Sequence, residues 1–188
     1  RDQQTMRICL QELRRCQQLT PRPNFVALLG QRYGWCPLPA EIPETEFEAL
    51  LAAAATPPER DLLQQWYLLD RNAVPESRML VRRQGEYEQP ERWRETEREL
   101  RRVLLAALPA LALSPEAQVK YERSATEQEI LAGALAEGAA PAFFYRRLIG
   151  DLPAGPSPYR DADPEAARRL EDLVARLGQR LPADNCHL

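Results

Sequence analysis

The sequence predicts a layered α/β protein built round a parallel sheet, and three observations predict it. Two short stretches, Phe25 to Leu29 and Ala142 to Ile149, are rich in apolar and aromatic residues and bounded by Asn24 and Gly30 in one case and by Gly138, Pro141 and Gly150 in the other. The first of them is continuously apolar and does not alternate, which is the pattern of a strand covered on both faces, as in a parallel sheet. Each stretch follows a segment with helical periodicity, and a third such segment follows the second, so the order helix, strand, helix, strand, helix argues for helices layered on a sheet. Two strands are too few to stand alone, so the sheet is expected to be incomplete at its N-terminus. The opening "RDQQTM", without an initiator Met, and the abrupt "NCHL" fit a piece of something longer.

Taken in order, Met6, Cys9, Leu10, Leu13 and Cys16 recur at the three-and-four spacing of an amphipathic helix from Thr5, a plausible cap, to about Leu19. This places Cys9 and Cys16 on one face, expected to be buried as small hydrophobes. "TPRPN" stops the helix, because each proline disfavours helical geometry in the residue before it. After the first strand come helices near Thr45 to Ala55, Pro58 to Leu69 and Pro90 to Leu108, the last with Trp93, Leu100, Val103, Leu104 and Ala107 on one stripe. "SRMLVRR", Ser77 to Arg83, reads as a short edge strand. These elements make a helical insertion, about residues 43–113, in a single domain spanning 1–188. Ser124 and Glu127 have the spacing of a capping box ahead of Ile130, Leu131, Ala134 and Leu135. A final helix is capped by Asp163, opened by Pro164, lined by Ala167, Leu170, Leu173, Val174 and Leu177, and ended by Gly178.

Composition excludes several classes of function. The chain has 188 residues, 44% of them hydrophobic and 28% charged, with a net charge of −3; this is globular and not disordered composition. The cations are arginines apart from Lys120 and are interleaved with acids, as in "PERWRETERELRR", so no single-sign field is left for nucleic acid. No apolar run reaches the roughly 18 residues a membrane helix needs, and no signal peptide opens the chain. A cytoplasmic protein with reduced thiols is expected, since the four cysteines have no C-x-x-C spacing. There is no phosphate-binding P-loop, no dinucleotide G-x-G-x-x-G and no G-x-S-x-G elbow, and His187 is the single histidine. No metal site is expected, because the cysteines and histidine lack the close pairing of a zinc centre.

One loop carries chemistry. In open α/β sheets ligands bind beyond the carboxyl ends of the strands, and "GQRYGWCP" lies at that end of the first strand. Gly30 and Gly34 allow unusual backbone angles, Arg32 offers a forked cation, and Tyr33 and Trp35 offer flat faces to a ring. The alternative is that Tyr33 and Trp35 cover the core while Arg32 pairs with a nearby carboxylate.

The stretch "DQQTMRICLQELRRCQQLTPRPNFVALLGQRYGW", followed by "NAVP", "YERSATEQEI" and "FFYRRL", resembles the domain found at the N-terminus of NACHT and WD-repeat or tetratricopeptide-repeat signalling proteins, telomerase-associated ones among them. The likeness spans nearly the whole chain, and "ICLQEL" and "LLGQRYGW" are its most specific pieces. That family is related to Toll/interleukin-receptor (TIR) domains, so the resemblance implies a three-layer, TIR-like or flavodoxin-like parallel sheet. The family's opening strand and Ser-Ser-Thr-Phe-type loop have no counterpart here. As to function, it implies a cytoplasmic signalling or interaction module of a multidomain NACHT-type (STAND) sensor, of the kind used in innate immunity or phage defence, contacting itself or protein partners and needing no cofactor. The alternative is a TIR-like enzyme with NAD as substrate. In NAD-cleaving TIR domains the catalytic Glu lies in a Trp-Cys-x-x-Glu-Leu pattern on a helix before a central strand. Here Cys9, Glu12 and Leu13 match that pattern and Ile8 replaces the Trp. Glu12 is then the catalytic candidate, with Gly30, Arg32, Tyr33 and Trp35 binding the ligand; otherwise Glu12 is a surface carboxylate within reach of Arg15 or Arg32.

Overall fold

The computed structural model describes residues 4–138, 141–152 and 157–187. They form a mixed α/β protein that divides into two compact units, one built on Cys36–Arg123 with the first residues of the chain, the other on Ile8–Trp35 and Ser124–Leu188.

The second unit holds the parallel sheet. Helix α1 (Thr5–Leu19) leads into strand β1 (Val26–Leu29). Within this unit, Gln17 donates to the Ala132 carbonyl at 3.2 Å and Cys9 hydrogen-bonds Glu129, which ties α1 to the helix at 125–133. The α1 stripe is shallow: Met6 is buried, Cys9, Leu10 and Leu13 are half-buried, and Cys16 is exposed, so the expected burial of both cysteines holds only in part for Cys9 and fails for Cys16. The packed edge at this end of the helix runs through Gln17, and Cys16 lies beside it in solvent. Burial and Glu129 push the Cys9 thiol up, away from thiolate chemistry.

The first unit contains β2 (Glu41–Pro43), α2 (Glu44–Ala53), α3 (Pro57–Trp66), β3 (Tyr67–Asp70), β4 (Ser77–Leu80), α4 (Pro90–Ala107) and α5 (Pro115–Glu122). Strands β2 and β3 flank β4 in an antiparallel sheet, pairing Ile42 with Arg78 and Tyr67 with Leu80. The segment read as a helical insertion therefore also carries strands, β4 is central and not an edge, and the helix expected to reach Leu69 stops at Trp66. The reason is long-range: the Trp66 carbonyl accepts from Val81 N–H at 2.9 Å, so the chain turns extended where its local apolar pattern continues. The α4 stripe is buried as expected, with Trp93, Leu100, Val103, Leu104 and Ala107 joining Phe47, Leu50, Leu63 and Trp66 in one continuous core.

Back in the second unit, α6 (Ala125–Gly133), β5 (Phe143–Arg146), α7 (Pro164–Arg180) and β6 (Cys186–His187) complete the fold. The strand order is β1-β5-β6, all parallel, with Val26 opposite Phe143 and Leu28 opposite Tyr145. Ser124 caps α6 and Asp163 caps α7, each accepting from a first-turn N–H. Gly178 does not end α7, which runs to Arg180 before Leu181 and Pro182, and Ala167 is exposed while Leu170, Leu173 and Leu177 are buried. The β1 strand is not covered on both faces. Ala27 and Leu29 point into the core, but Val26 and Leu28 are 54% and 74% exposed, and Tyr145 beside Leu28 is 43% exposed. A four-residue apolar run looks the same in sequence whether one face is covered or two.

Candidate functional site

The loop that leaves β1 is held by two carboxylates. Asp161 accepts the backbone N–H of Tyr33 at 2.5 Å and the Nε of Arg32 at 3.3 Å. Arg32 Nη1 also donates to the Pro158 carbonyl at 3.1 Å. Gly34 has φ +93°, a left-handed conformation that side chains resist. The Trp35 carbonyl then accepts Ala125 N–H at 2.9 Å, at the start of α6.

Tyr33 is 3% exposed and its hydroxyl is fully engaged. It donates to Glu127 and accepts from the backbone N–H of Ser124 at 3.2 Å, and Arg169 bonds it as well. Glu127 is 2% exposed and its other oxygen accepts from Arg176 Nη1 at 3.1 Å. The carboxylate read as a capping-box partner is thus turned inward, where the first turn of α6 offers a favourable field and Arg176 neutralises it. This buried network joins α6, α7 and the β1 loop, and the spacing Ser124-x-x-Glu127 alone does not distinguish it from a cap. No proton donor or nucleophile in it is open to a substrate, so its chemistry is structural: it fixes the loop.

A cavity of about 200 Å³ opens at the carboxyl ends of β1 and β5. Gly30, Gln31 and Arg32 line it from one strand end, Arg147 and Ile149 from the other, with Pro158 and Tyr159 closing the wall. The two strand ends are stitched together by Arg147 N–H to the Leu29 carbonyl and by Ile149 N–H to Gln31 Oε1, both 2.8 Å.

Of the residues singled out in the sequence, Gly30 and Arg32 meet in this cavity. Tyr33 does not line it, because it is the buried centre of the network, and Trp35 does not, with half its surface in solvent. Glu12 does not line it either. Its side chain is 56% exposed on α1 and lies 3.4 Å from Arg15 at i,i+3, an exposed pair of small energetic consequence. Arg147 and Tyr159, more than a hundred residues downstream, carry no local signal that ties them to the loop. In the first unit a second cavity, about 420 Å³, is lined by Trp66, Leu68, Val81 and Tyr87, with Arg82 at its rim.

Among the described residues no group of three or more His, Cys, Asp or Glu is placed to hold a metal, and no helix is long and apolar enough to cross a membrane.

No protein-family model matches the chain, and no solved structure matches it. Among characterised proteins, NACHT domain- and WD repeat-containing protein 1 of Homo sapiens is 31% identical over 195 residues, which cover 98% of this chain and 11% of that protein. The protein of the same name in Mus musculus is 42% identical over 80 residues, 42% of this chain and 5% of its own length. NACHT and WD repeat domain-containing protein 2 of Mus musculus is 34% identical over 122 residues, 57% and 7% of the two chains. The chain therefore spans at most 11% of the length of these relatives. Over nearly all of its sequence, it is homologous to a region of the NACHT and WD repeat-containing proteins.

Proposed function

We propose that this chain is a cytoplasmic signalling and interaction module, the N-terminal part of a multidomain NACHT-type sensor, and that it acts by contact with the rest of its parent protein or with further copies of itself. The observation that carries the reading is the uncovered side of the parallel sheet. Val26, Leu28 and Tyr145 present adjoining apolar surface on one face, and β1 is an edge strand. Parallel sheets are normally buried on both sides, and an exposed apolar patch on a folded protein is a place where something else sits. The homology to NACHT and WD repeat-containing proteins supports a parent protein in which such contacts are made. A helix precedes every strand of the β1-β5-β6 sheet, which supports a TIR-like or flavodoxin-like α/β domain into which the Cys36–Arg123 unit is inserted.

The test is size-exclusion chromatography with light scattering on the longer natural protein, wild type and Leu28→Asp. Leu28 is exposed, so the substitution does not disturb the core of this chain, and it weakens any association made through the sheet face. A protein that is monomeric and partnerless at every concentration would overturn the reading.

A second reading, NAD cleavage with Glu12 as the catalytic carboxylate, is supported by the cavity at the strand ends, where Gly30 and Arg32 stand together. In that mechanism the carboxylate stabilises the oxocarbenium-like charge that develops on the ribose as nicotinamide leaves, a role set by position and electrostatics. It requires Glu12 to leave Arg15 and approach the cavity, which assembly of the parent protein would have to bring about. Nicotinamide release from the assembled parent, wild type against Glu12→Gln, tests it: a fall of ~100-fold or more is expected for loss of an electrostatic stabiliser. Equal rates, or no release from either protein, would leave Glu12 a surface helix residue.

A further inference from the structure

We infer that the cavity at the ends of β1 and β5 binds the phosphate of a nucleoside monophosphate, held between Arg32 and Arg147 with the base or ribose against Tyr159. The inference rests on the placement of these side chains and not on Glu12, so it stands or falls separately from NAD cleavage.

Position comes first. The cavity lies beyond the carboxyl ends of two adjacent parallel strands, where open α/β sheets take ligands. Its rim is rigid, because the two strand-end loops are joined by the Arg147 N–H and Gln31 Oε1 bonds. A rigid rim lowers the ordering cost of binding a small molecule.

Charge comes second. Arg32 is aimed by its bonds from Nε to Asp161 and from Nη1 to the Pro158 carbonyl, which leave Nη2 unengaged. Arg147, an exposed side chain on the opposite strand end, makes no side-chain hydrogen bond or ion pair among the described residues. Among the described residues no carboxylate lines the cavity, and Asp161, bonded to Arg32, is already satisfied by that guanidinium and the Tyr33 N–H. Two guanidinium groups from different strand ends suit a tetrahedral dianion, which has acceptor oxygens on more than one side, better than a carboxylate, which one fork satisfies.

Size and the remaining walls narrow the class. About 200 Å³ is room for a phosphate and part of a nucleoside, and lies below the usual volume of a pocket for a drug-sized molecule. Ile149 and Pro158 supply an apolar wall, and Tyr159, 58% exposed, offers a ring face. A Cβ built on Gly30 meets no atom within 4 Å, so a side chain there has space to stand at the cavity without displacing protein.

The experiment is isothermal titration of the 188-residue chain with AMP, inorganic phosphate and adenosine. AMP is expected to bind, phosphate to bind more weakly and compete with it, and adenosine not to bind. Arg147→Gln removes one charged hydrogen-bonding partner and is expected to weaken AMP roughly tenfold or more. Gly30→Leu is expected to weaken AMP and phosphate alike, Tyr159→Ala to weaken AMP and leave phosphate unchanged, and Glu12→Gln to change nothing. Arg147, Gly30 and Tyr159 are all exposed, and an unchanged near-ultraviolet circular dichroism spectrum shows that each variant is folded. Failure of AMP and phosphate to bind at millimolar concentration, or an AMP affinity unmoved by both Arg147→Gln and Gly30→Leu, would overturn the proposal. Phosphate binding as tightly as AMP would overturn the nucleoside part. AMP binding with no nicotinamide release from the parent would uphold the site and remove the NAD-cleaving reading.

Discussion

In the antiparallel unit, Ile42, Tyr67 and Leu80 of the sheet lie on the core side with Phe47, Leu63, Trp66 and Leu100, and the opposite side carries Glu41 and the buried Ser77, which bond each other at 2.8 Å, together with Met79 and the exposed Leu68. In the parallel unit the core side of the sheet holds Ala27, Leu29 and Phe144, but the opposite side carries Val26, Leu28 and Tyr145 in solvent, with His187 stacked on Tyr145 at 4.4 Å. The first arrangement is the ordinary one for an antiparallel sheet. The second is a parallel sheet open on one face, backed by an apolar core with Ile130, Phe144, Leu170, Leu173 and Leu177 and by a buried polar network, Tyr33 with Glu127, Ser124 and Arg176. The difference lies in what the two open sheet faces carry: polar and apolar groups mixed in the antiparallel unit, adjoining apolar side chains in the parallel one, whose strand ends also hold a cationic cavity.

Truncations should separate the two units most sharply. Leu100→Ala empties space in the middle of the antiparallel unit's core, where Leu100 is 0% exposed, and should cost about 2–5 kcal/mol in urea unfolding. Leu28→Ala, made on the open sheet face, should cost no more than about 0.5 kcal/mol in the same chain. Equal losses at the two positions would break the contrast.

Two changes probe how the parallel unit is built. A Cβ at Gly133 would run into the Phe25 ring, so Gly133→Ala forces ring or helix to move and should cost about 1–3 kcal/mol. Tyr33→Phe leaves Glu127 and the Ser124 N–H short of a partner inside the protein, and should cost about 1–3 kcal/mol. Stability unchanged by Tyr33→Phe would mean that the network is not what holds the β1 loop.

These positions also mark what the sequence makes legible. The stripes of α4 and α7 are visible because their apolar residues recur every three or four positions over four turns, and the structure buries all five expected in α4 and Leu170, Leu173 and Leu177 in α7. Strand β3 is hidden because "YLLD" prolongs the apolar pattern of α3, and it is pairing with β4 and Val81, later in the chain, that makes it extended. At the site, Gly30 and Arg32 are readable from their place after an apolar strand. Arg147 and Tyr159 are not, since parallel pairing brings together residues whose separation no local pattern encodes. Glu127 misleads for a related reason: its cap spacing is local, whereas its burial depends on Tyr33 and Arg176, far away on both sides in sequence.

The smallest expected effect is electrostatic and belongs to the antiparallel unit. Arg78 grips Glu44 at 2.7 and 2.8 Å and lies over the Phe47 ring, and its hydrogen bonds hold the Glu44 carboxyl below the usual range. A carboxyl whose folded pKa is depressed contributes stability that is present at neutral pH and is lost as pH falls below the ordinary glutamate value toward the lower folded one. Glu44→Gln should therefore cost about 1 kcal/mol at pH 7 and close to nothing in strong acid. The same loss at both pH values would assign the effect to packing against Phe47.

If the open face of the β1-β5-β6 sheet is a contact surface of the parent protein, its strands are protected there. Hydrogen–deuterium exchange measures it most directly, comparing the backbone amides of Val26–Leu29 and Phe143–Arg146 in this chain and in the full parent under the same conditions. Slower exchange of these strands in the parent is expected, reversed by Leu28→Asp, with the α4 core amides unchanged. Identical exchange of both strands in the isolated chain and in the parent, at every protein concentration, would contradict it.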